Sequence, residues 1–63
     1  MTISKNLNRL MREQNVTQSQ LALWLGVTRS AVNAWCVGKN VPRLPTLIQI
    51  AKLLNCTVED LVK

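Results

Sequence analysis

Two short helical patterns meet across a single glycine in the middle of this 63-residue chain, and this spacing constrains the fold more than any other feature. Apolar residues recur at helical intervals from Leu21 to Leu25, stop at Gly26 and resume behind Thr28. Two helices joined by a short turn that contains glycine form a helix-turn-helix, whose second helix can enter the major groove of DNA. The spacing therefore predicts an all-α fold with a surface for double-stranded DNA.

The charge distribution favours a polyanionic partner. The chain has eight Lys and Arg against three Asp and Glu, a formal net charge of +5, and an isoelectric point of about 10.1. No acid lies between Glu13 and Glu59, and this acid-free stretch contains both helical patterns. Such a surface is typical of nucleic-acid-binding domains, although small basic domains that bind no nucleic acid are also common.

The composition excludes several classes of site. The chain has no histidine, and Cys36 and Cys56 stand far apart, so neither a zinc quartet nor a Cys-His catalytic pair can form. No nucleophile-base pair or phosphate-binding glycine loop is present, and we expect no enzyme activity, no cofactor and no small-molecule ligand. Without a signal peptide or a long apolar run we expect a cytoplasmic protein, no membrane partner, and free thiols rather than the one conceivable disulfide.

Helical periodicity and capping residues predict five helices in one domain over residues 1–63. The predicted bounds are 3–14, 17–25, 28–37, 45–54 and a short fifth helix capped by Thr57. Thr17 and Gln20 have the spacing of a capping box, Asn15 suits a left-handed helix end, and Trp35 is expected to be the largest core side chain. The residues predicted to point inward are Ile3, Leu7, Leu10, Met11, Leu21, Ala22, Leu25, Ala31, Val32, Trp35, Leu47, Ile50, Ala51, Leu54, Val58 and Leu61.

The central segment, residues 17–35, reads TQSQLALWLGVTRSAVNAW. It resembles the helix-turn-helix of the lambda-repressor-like family, which includes phage repressors, Cro proteins and XRE regulators. The later segments VPRLPTLIQIAKLL and CTVEDL resemble the fourth and fifth helices of that family. The resemblance implies a compact five-helix domain that acts as a repressor or Cro-like regulator, binding a near-palindromic operator as a dimer with helix 3 in the major groove.

The resemblance also assigns roles in DNA contact. The base-reading positions of the family match Arg29, Ser30, Asn33 and Ala34. Arg29 could form a fork onto O6 and N7 of a guanine, whereas Ala34 could offer only a methyl contact, for example to thymine. The backbone-contacting positions match Gln18, Thr28, Lys39, Asn40 and Arg43, which would orient the domain without reading sequence. Arg29, Ser30 and Asn33 could otherwise be ordinary solvated residues.

Two departures from the family pattern involve apolar residues. Met11 and Cys36 stand where the family often pairs an arginine with a glutamate, and because both partners are replaced together we expect their side chains to pack within about 6 Å. Leu23 and Trp24 occupy positions that are usually polar. Either they form a partner-binding surface, or Trp24 packs onto a neighbouring helix and Leu23 is an isolated surface residue.

Two further questions stay open at the level of sequence. The same fold could serve instead as an antitoxin- or adaptor-type protein-interaction module. The chain could be a small Cro-like protein or the DNA-binding part of a longer repressor. By resemblance, a dimer would involve residues 43–44 and 56–58, and the small surface left over favours weak pairing that DNA stabilises.

Overall fold

The computed structural model describes residues 2–63, which form five helices and no strand. In chain order they are α1 (Thr2–Glu13), α2 (Gln18–Leu25), α3 (Arg29–Cys36), α4 (Leu44–Leu53) and α5 (Val58–Val62). Each predicted helix is present, and the predicted ends differ from the observed ones by no more than one residue. The prediction of a compact five-helix, all-α fold is confirmed.

Side-chain caps fix where α2 and α3 begin. Thr17 Oγ1 accepts a hydrogen bond from the Gln20 N–H at 3.1 Å, and Gln20 Oε1 accepts one from the Thr17 N–H at 2.9 Å. This is the predicted capping box. Thr28 Oγ1 accepts a hydrogen bond from the Ala31 N–H at 3.1 Å. Because both caps satisfy N–H groups that have no partner within the helix, each first turn is held in place.

Gly26 ends α2 in the left-handed conformation, with φ 71° and ψ 31°. Its N–H donates to the Leu23 carbonyl at 3.3 Å, and the Val27 N–H donates to the Ala22 carbonyl at 3.0 Å, which is the Schellman pattern of a helix end. The chain therefore reverses direction within a few residues. This short reversal is the turn that sets α3 at an angle to α2.

Asparagine ends two other helices in the same way. Asn15, after α1, has φ 57° as the sequence predicted, and Asn55, after α4, has φ 55°, which was not predicted. Asparagine tolerates this region better than other residues with a Cβ. Gly38, after α3, has φ 80° and again lies where the sequence predicted a helix stop.

The helices enclose one aliphatic core. Its buried members are Leu7, Leu10, Met11, Leu21, Ala22, Val32, Cys36, Leu47, Ile50, Ala51, Leu54 and Leu61. Of the residues predicted to point inward, Ile3, Leu25, Trp35 and Val58 are only partly buried against this core, and Ala31 is half-buried. The apolar pattern therefore located the correct face of each helix, but not the depth of every side chain.

Trp35 corrects one prediction. It was expected to be the largest core side chain, but it is half-buried and the fully buried side chains are all aliphatic. Cys36, one residue later, instead takes the inward position one helical turn beyond Val32. In a domain of this size the core does not enclose a whole indole, since tryptophan is rarely buried completely.

The predicted packing contact between Met11 and Cys36 is confirmed. Cys36 and Met11 are both buried, and the Cys36 Sγ lies 3.9 Å from the Met11 Sδ, toward which its thiol donates. Burial raises the pKa of the Cys36 thiol, so that it stays protonated at neutral pH. Both cysteines are free thiols. The contact joins α1 to α3 without burying a charge.

Leu23 and Trp24 lie at the surface of α2, with 79% and 49% of their area exposed. Trp24 shares a shallow surface depression of about 210 Å³ with Gln49, Lys52 and Leu53 of α4. The indole therefore lies beside α4, as one of the two sequence interpretations proposed, while half of it remains in solvent. The other interpretation, a partner-binding surface, stays a prediction.

Substituting Gly26 by alanine should lower the free energy of unfolding by about 1 kcal/mol, because a Cβ disfavours the left-handed conformation. No heavy atom lies within 4 Å of where that Cβ would stand, so the loss would come from the backbone alone. Gly26→Asn should lose less, since asparagine tolerates positive φ. Urea unfolding of the three proteins measures this, and an alanine variant as stable as the asparagine variant would contradict it.

Candidate nucleic-acid interface

The exposed side of α3 and the start of α2 border an open groove of about 550 Å³, which we call the α3 groove. It is lined by Gln18, Arg29, Ser30, Asn33, Ala34, Val37 and Lys39. All four residues predicted to read bases lie in it, together with two of those predicted to contact the DNA backbone. The sequence therefore predicted most of the side chains that the fold brings together here.

Helical periodicity explains why these side chains share one surface. On α3, Val32 and Cys36 are buried against the core, with 0% and 6% of their area exposed. Ser30 lies on the opposite side of the same helix, and Arg29 and Asn33 lie on its exposed flank. Burial of one side of α3 is therefore what presents the polar side to solvent.

The turn after α3 brings Lys39 into the groove. Gly38 adopts a left-handed conformation, and the N–H groups of Lys39 and Asn40 both donate to the Ala34 carbonyl, at 2.9 and 3.2 Å. These bonds fold the chain back over the last turn of α3. Without that reversal, Lys39 would continue away from the helix rather than stand beside Ala34.

The other predicted backbone-contacting residues do not line the groove. Thr28, Asn40 and Arg43 are exposed, and none of them is among the lining side chains. The Thr28 hydroxyl oxygen already accepts the capping hydrogen bond from Ala31, but its proton is still available to donate. Any contact that these three residues make to DNA would therefore lie outside the α3 groove.

The cations at this surface are not neutralised by neighbouring acids. Among residues 2–63 the ion pairs are Arg9 with Glu13 at 3.4 Å and Lys63 with Glu59 at 3.3 Å, each within or at the end of a single helix. Arg29 and Lys39 have no such partner, and no acid lines the groove. Both charges are therefore available to a polyanion without first breaking a salt bridge.

Gln18 links the groove to the core behind it. It is the first residue of α2, so its backbone N–H has no partner within the helix and can face an anion. Its side chain is half-buried and makes a hydrogen bond with the Cys36 thiol, which offsets part of the burial-induced rise in the pKa of that thiol. The residue thus belongs to both the surface and the packing beneath it.

Sequence reasoning missed the side chain that holds α3 from behind. Asn8 Nδ2 of α1 donates to the Cys36 carbonyl at 2.8 Å and to the Ser4 carbonyl at 2.9 Å. Asn6 Nδ2 similarly donates to the Leu61 carbonyl at 2.9 Å. Asparagine favours helix formation only weakly, so two asparagines inside one predicted helix were a usable signal of such bonds.

The side chains that line the α3 groove can bind a partner through hydrogen bonds, apolar contacts and charge. No group of three or more His, Cys, Asp or Glu side chains in the described part of the chain is placed to hold a metal ion. Within residues 2–63, none of the helices combines the length and the hydropathy needed to cross a bilayer. The arrangement that is present consists of hydrogen-bonding groups, two methyl-bearing side chains and two unpaired cations.

Comparison with known proteins agrees with this geometry. Residues 7–61 match the profile of the family described as Helix-turn-helix. The chain is 36% identical over 62 residues to the HTH-type transcriptional activator BcrR of Enterococcus faecalis, covering 98% of this chain and 30% of that protein. It is 35% identical over 60 residues to the uncharacterized HTH-type transcriptional regulator YqaE of Bacillus subtilis, covering 95% of this chain and 52% of that one.

A solved structure shows the same fold. The solution structure of the SOS-response transcriptional repressor LexA from Eubacterium rectale superimposes with a TM-score of 0.91 at 31% sequence identity. The match covers 98% of this chain and 66% of that one. The chain therefore spans about a third and about half of the two curated relatives, and about two thirds of the solved structure.

Two asparagine substitutions should distinguish a residue that stabilises α3 from a residue that only lines its exposed surface. Asn8→Ala should lower the free energy of unfolding by about 1 kcal/mol, because it leaves the last turn of α3 without its hydrogen bond from α1. Asn33→Ala, a matched change on the exposed side of α3, should alter stability by less than about 0.5 kcal/mol. Chemical denaturation measures both, and equal losses would show that Asn33 has a structural role.

Proposed function

The chain belongs to the lambda-repressor-like helix-turn-helix family of transcriptional regulators, and from this we propose that it is a sequence-specific double-stranded DNA-binding regulator. In the proposed complex α3 enters the major groove and the start of α2 lies over the sugar-phosphate backbone. The observation that carries the proposal is the α3 groove, which gathers the four candidate base-reading side chains, the unpaired Arg29 among them, beside the unpaired Lys39.

The proposed base contacts follow from the chemistry of each side chain. Arg29, in the first turn of α3, donates a pair of hydrogen bonds to O6 and N7 of a guanine. Ser30 and Asn33 can each donate or accept at a base edge, so they suit several bases. Ala34 makes a methyl contact, for which thymine is the matching base. Sequence preference should therefore depend most strongly on Arg29.

The proposed backbone contacts position α3 without reading sequence. Gln18 and Lys39 border the groove and would bind phosphates on its two sides. Thr28 donates its hydroxyl proton, while Asn40 and Arg43 reach phosphates beyond the groove. This arrangement is the one expected when phosphate contacts fix the register and base contacts supply the specificity.

We propose that two copies bind a near-palindromic operator. Leu44, at the first turn of α4, has 61% of its area exposed and follows Arg43 directly, while Cys56 and Val58 are half-buried. So small an apolar surface favours weak pairing that DNA stabilises. Sedimentation at low micromolar concentration should therefore find mainly monomer without DNA and a two-to-one complex with it. A tight dimer in the free protein would contradict this proposal.

The regulatory direction that we propose is repression by occupying a promoter, in the manner of a repressor or Cro protein. Among the relatives, one is named an activator and another a repressor, so the shared domain is compatible with either outcome. We further propose that the protein acts in the cytoplasm, without catalysis, and that DNA rather than a small molecule is its ligand. Each of these points goes beyond family membership.

A second candidate function has one observation in its favour. Leu23 and Trp24 are adjacent, apolar and exposed on α2, as expected of an antitoxin- or adaptor-type module that binds another protein. Neither residue lines the α3 groove, so the two functions can be tested apart. Changing both to glutamine should leave DNA affinity unchanged if DNA binding is the function, whereas a loss of self-association or of partner recovery would support the alternative.

Salt dependence tests the proposed binding of phosphates. If the protein neutralises about five phosphates per complex, log affinity should fall against log salt with a slope near −4 to −5. Lys39→Gln should make that slope shallower by about two, because each of the two bound copies neutralises one phosphate fewer, with little change in base preference. Lys52→Gln is the matched control, since Lys52 lies in the Trp24 depression rather than in the α3 groove. A flat response of the unmodified protein would favour the interaction-module function.

Selection of bound duplexes from random DNA tests the base contacts. The unmodified protein should enrich two half-sites whose centres lie about 34–36 Å apart. Arg29→Ala should relax one guanine position in each half-site, a loss of about 1–3 kcal/mol of discrimination. Arg12→Ala provides a control with an exposed arginine of α1 that does not line the groove. Enrichment of no sequence, or an Arg29 variant with unchanged preference, would overturn the proposal.

A further inference from the structure

Val37 is an apolar side chain in an otherwise largely polar groove. It has 65% of its area exposed, and it lines the α3 groove beside Ala34 and Lys39. The residue follows the last residue of α3 and keeps a helical backbone, with φ −93° and ψ −1°. Its side chain therefore continues the exposed side of α3 by one further turn. No role was assigned to it from the sequence.

The groove is divided along the axis of α3. The polar side chains Arg29, Ser30 and Asn33 occupy its first half, and the methyl-bearing Ala34 and Val37 occupy its second. Ser30 and Val37 are seven residues apart and so lie almost in line on the helix surface. The second half of the groove therefore presents a small apolar strip on α3, with the Lys39 ammonium beside it.

The partner of such a strip can be identified by chemistry. When α3 lies in a major groove, water is excluded from the strip, and a favourable contact requires an apolar group on the DNA. The apolar group that a base edge displays there is the C5 methyl of thymine. Charged phosphates are poor partners for valine, and a contact to deoxyribose would not depend on the base.

The spacing of the strip matches the stacking of bases. Three residues of α-helix advance by about 4.5 Å, and successive base pairs in a DNA duplex are separated by about 3.4 Å. Ala34 and Val37 can therefore reach methyl groups on neighbouring base pairs. On this geometry, Val37 would extend the reading surface beyond the base pair contacted by Ala34.

We propose that Val37 is a specificity-determining residue that contacts the C5 methyl of a thymine next to the base pair read by Ala34. This inference rests on the proposed function, since it requires α3 to lie in the major groove. It adds a preference that hydrogen bonding by Arg29, Ser30 and Asn33 does not supply. Within each half-site, the thymine next to the base pair read by Ala34 is selected by its methyl group.

Removing one methyl group from each partner tests the contact directly. On the duplex enriched by the unmodified protein, each thymine is replaced in turn by deoxyuridine, which lacks only the C5 methyl. At the thymine that Val37 contacts in each half-site, this should weaken binding of the unmodified protein about fourfold, the value expected for one buried methyl. The Val37→Ala variant should bind more weakly to the parent duplex and be indifferent to deoxyuridine at that position.

A matched variant and a second thymine serve as controls. Val62→Ala removes the same atoms from another exposed valine outside the groove, and it should keep the full deoxyuridine effect. A thymine contacted by Ala34 should remain sensitive to deoxyuridine in the Val37 variant. Urea midpoints that place both valine variants fully folded under the binding conditions, as the unmodified protein is, would show that neither result comes from loss of folding.

The outcomes separate this inference from the function on which it depends. If no duplex sequence is enriched, the proposed function fails. If a sequence is enriched but every deoxyuridine effect is the same in the unmodified protein and in Val37→Ala, DNA recognition stands and the Val37 contact is overturned. A Val37 variant that weakens binding to all duplexes equally would indicate a contact to deoxyribose and would likewise overturn it.

Discussion

The packing of the inner side of α3 is the constraint on which the rest of the structure depends. Val32 is completely buried, and Cys36 lies against Met11 on one side and receives the Asn8 amide at its carbonyl. These contacts join α3 to α1, while the Gly26 turn joins it to α2. When one side of a helix packs against the core, the residues on its remaining surface face solvent. The outward position of Ser30, Ala34 and the other α3 side chains in the α3 groove follows.

A structural feature could be predicted from the sequence when the residues that produce it lie close together in the chain. The Thr17–Gln20 capping box, the glycine and asparagine helix ends and the inward side of each helix involve residues within a few positions of one another, and the sequence predicted most of them. The degree to which a side chain is buried depends instead on residues of other helices, distant in sequence, that pack against it. That is why the burial of Trp35 was overestimated and why the bonds made by Asn6 and Asn8 were missed.

The same distinction applies to the candidate site. Arg29, Ser30, Asn33 and Ala34 lie in the groove because they share one regular helix, so periodicity was sufficient to group them. Beyond α3, the path of the chain determines which side chains reach the α3 groove. Lys39 is folded back by the turn at Gly38, whereas Asn40 and Arg43 lie outside the groove. Helical spacing places Val37 on the outward side, but its position beside Lys39 depends on that turn and was not predictable from spacing.

The sulfur contact between α1 and α3 affects how this domain can change over generations. When one member of a buried ion pair is lost, the other charge is left unpaired, which lowers the free energy of unfolding by about 3–5 kcal/mol. Both positions must therefore change almost together. The contact between Met11 and Cys36 involves no charge. Replacing either residue by an apolar residue of similar volume lowers the free energy of unfolding by less than about 1.5 kcal/mol. The contact between α1 and α3 can therefore be changed by one substitution at a time. A single apolar substitution there can shift the position of α3 on α1 without leaving a buried charge unpaired.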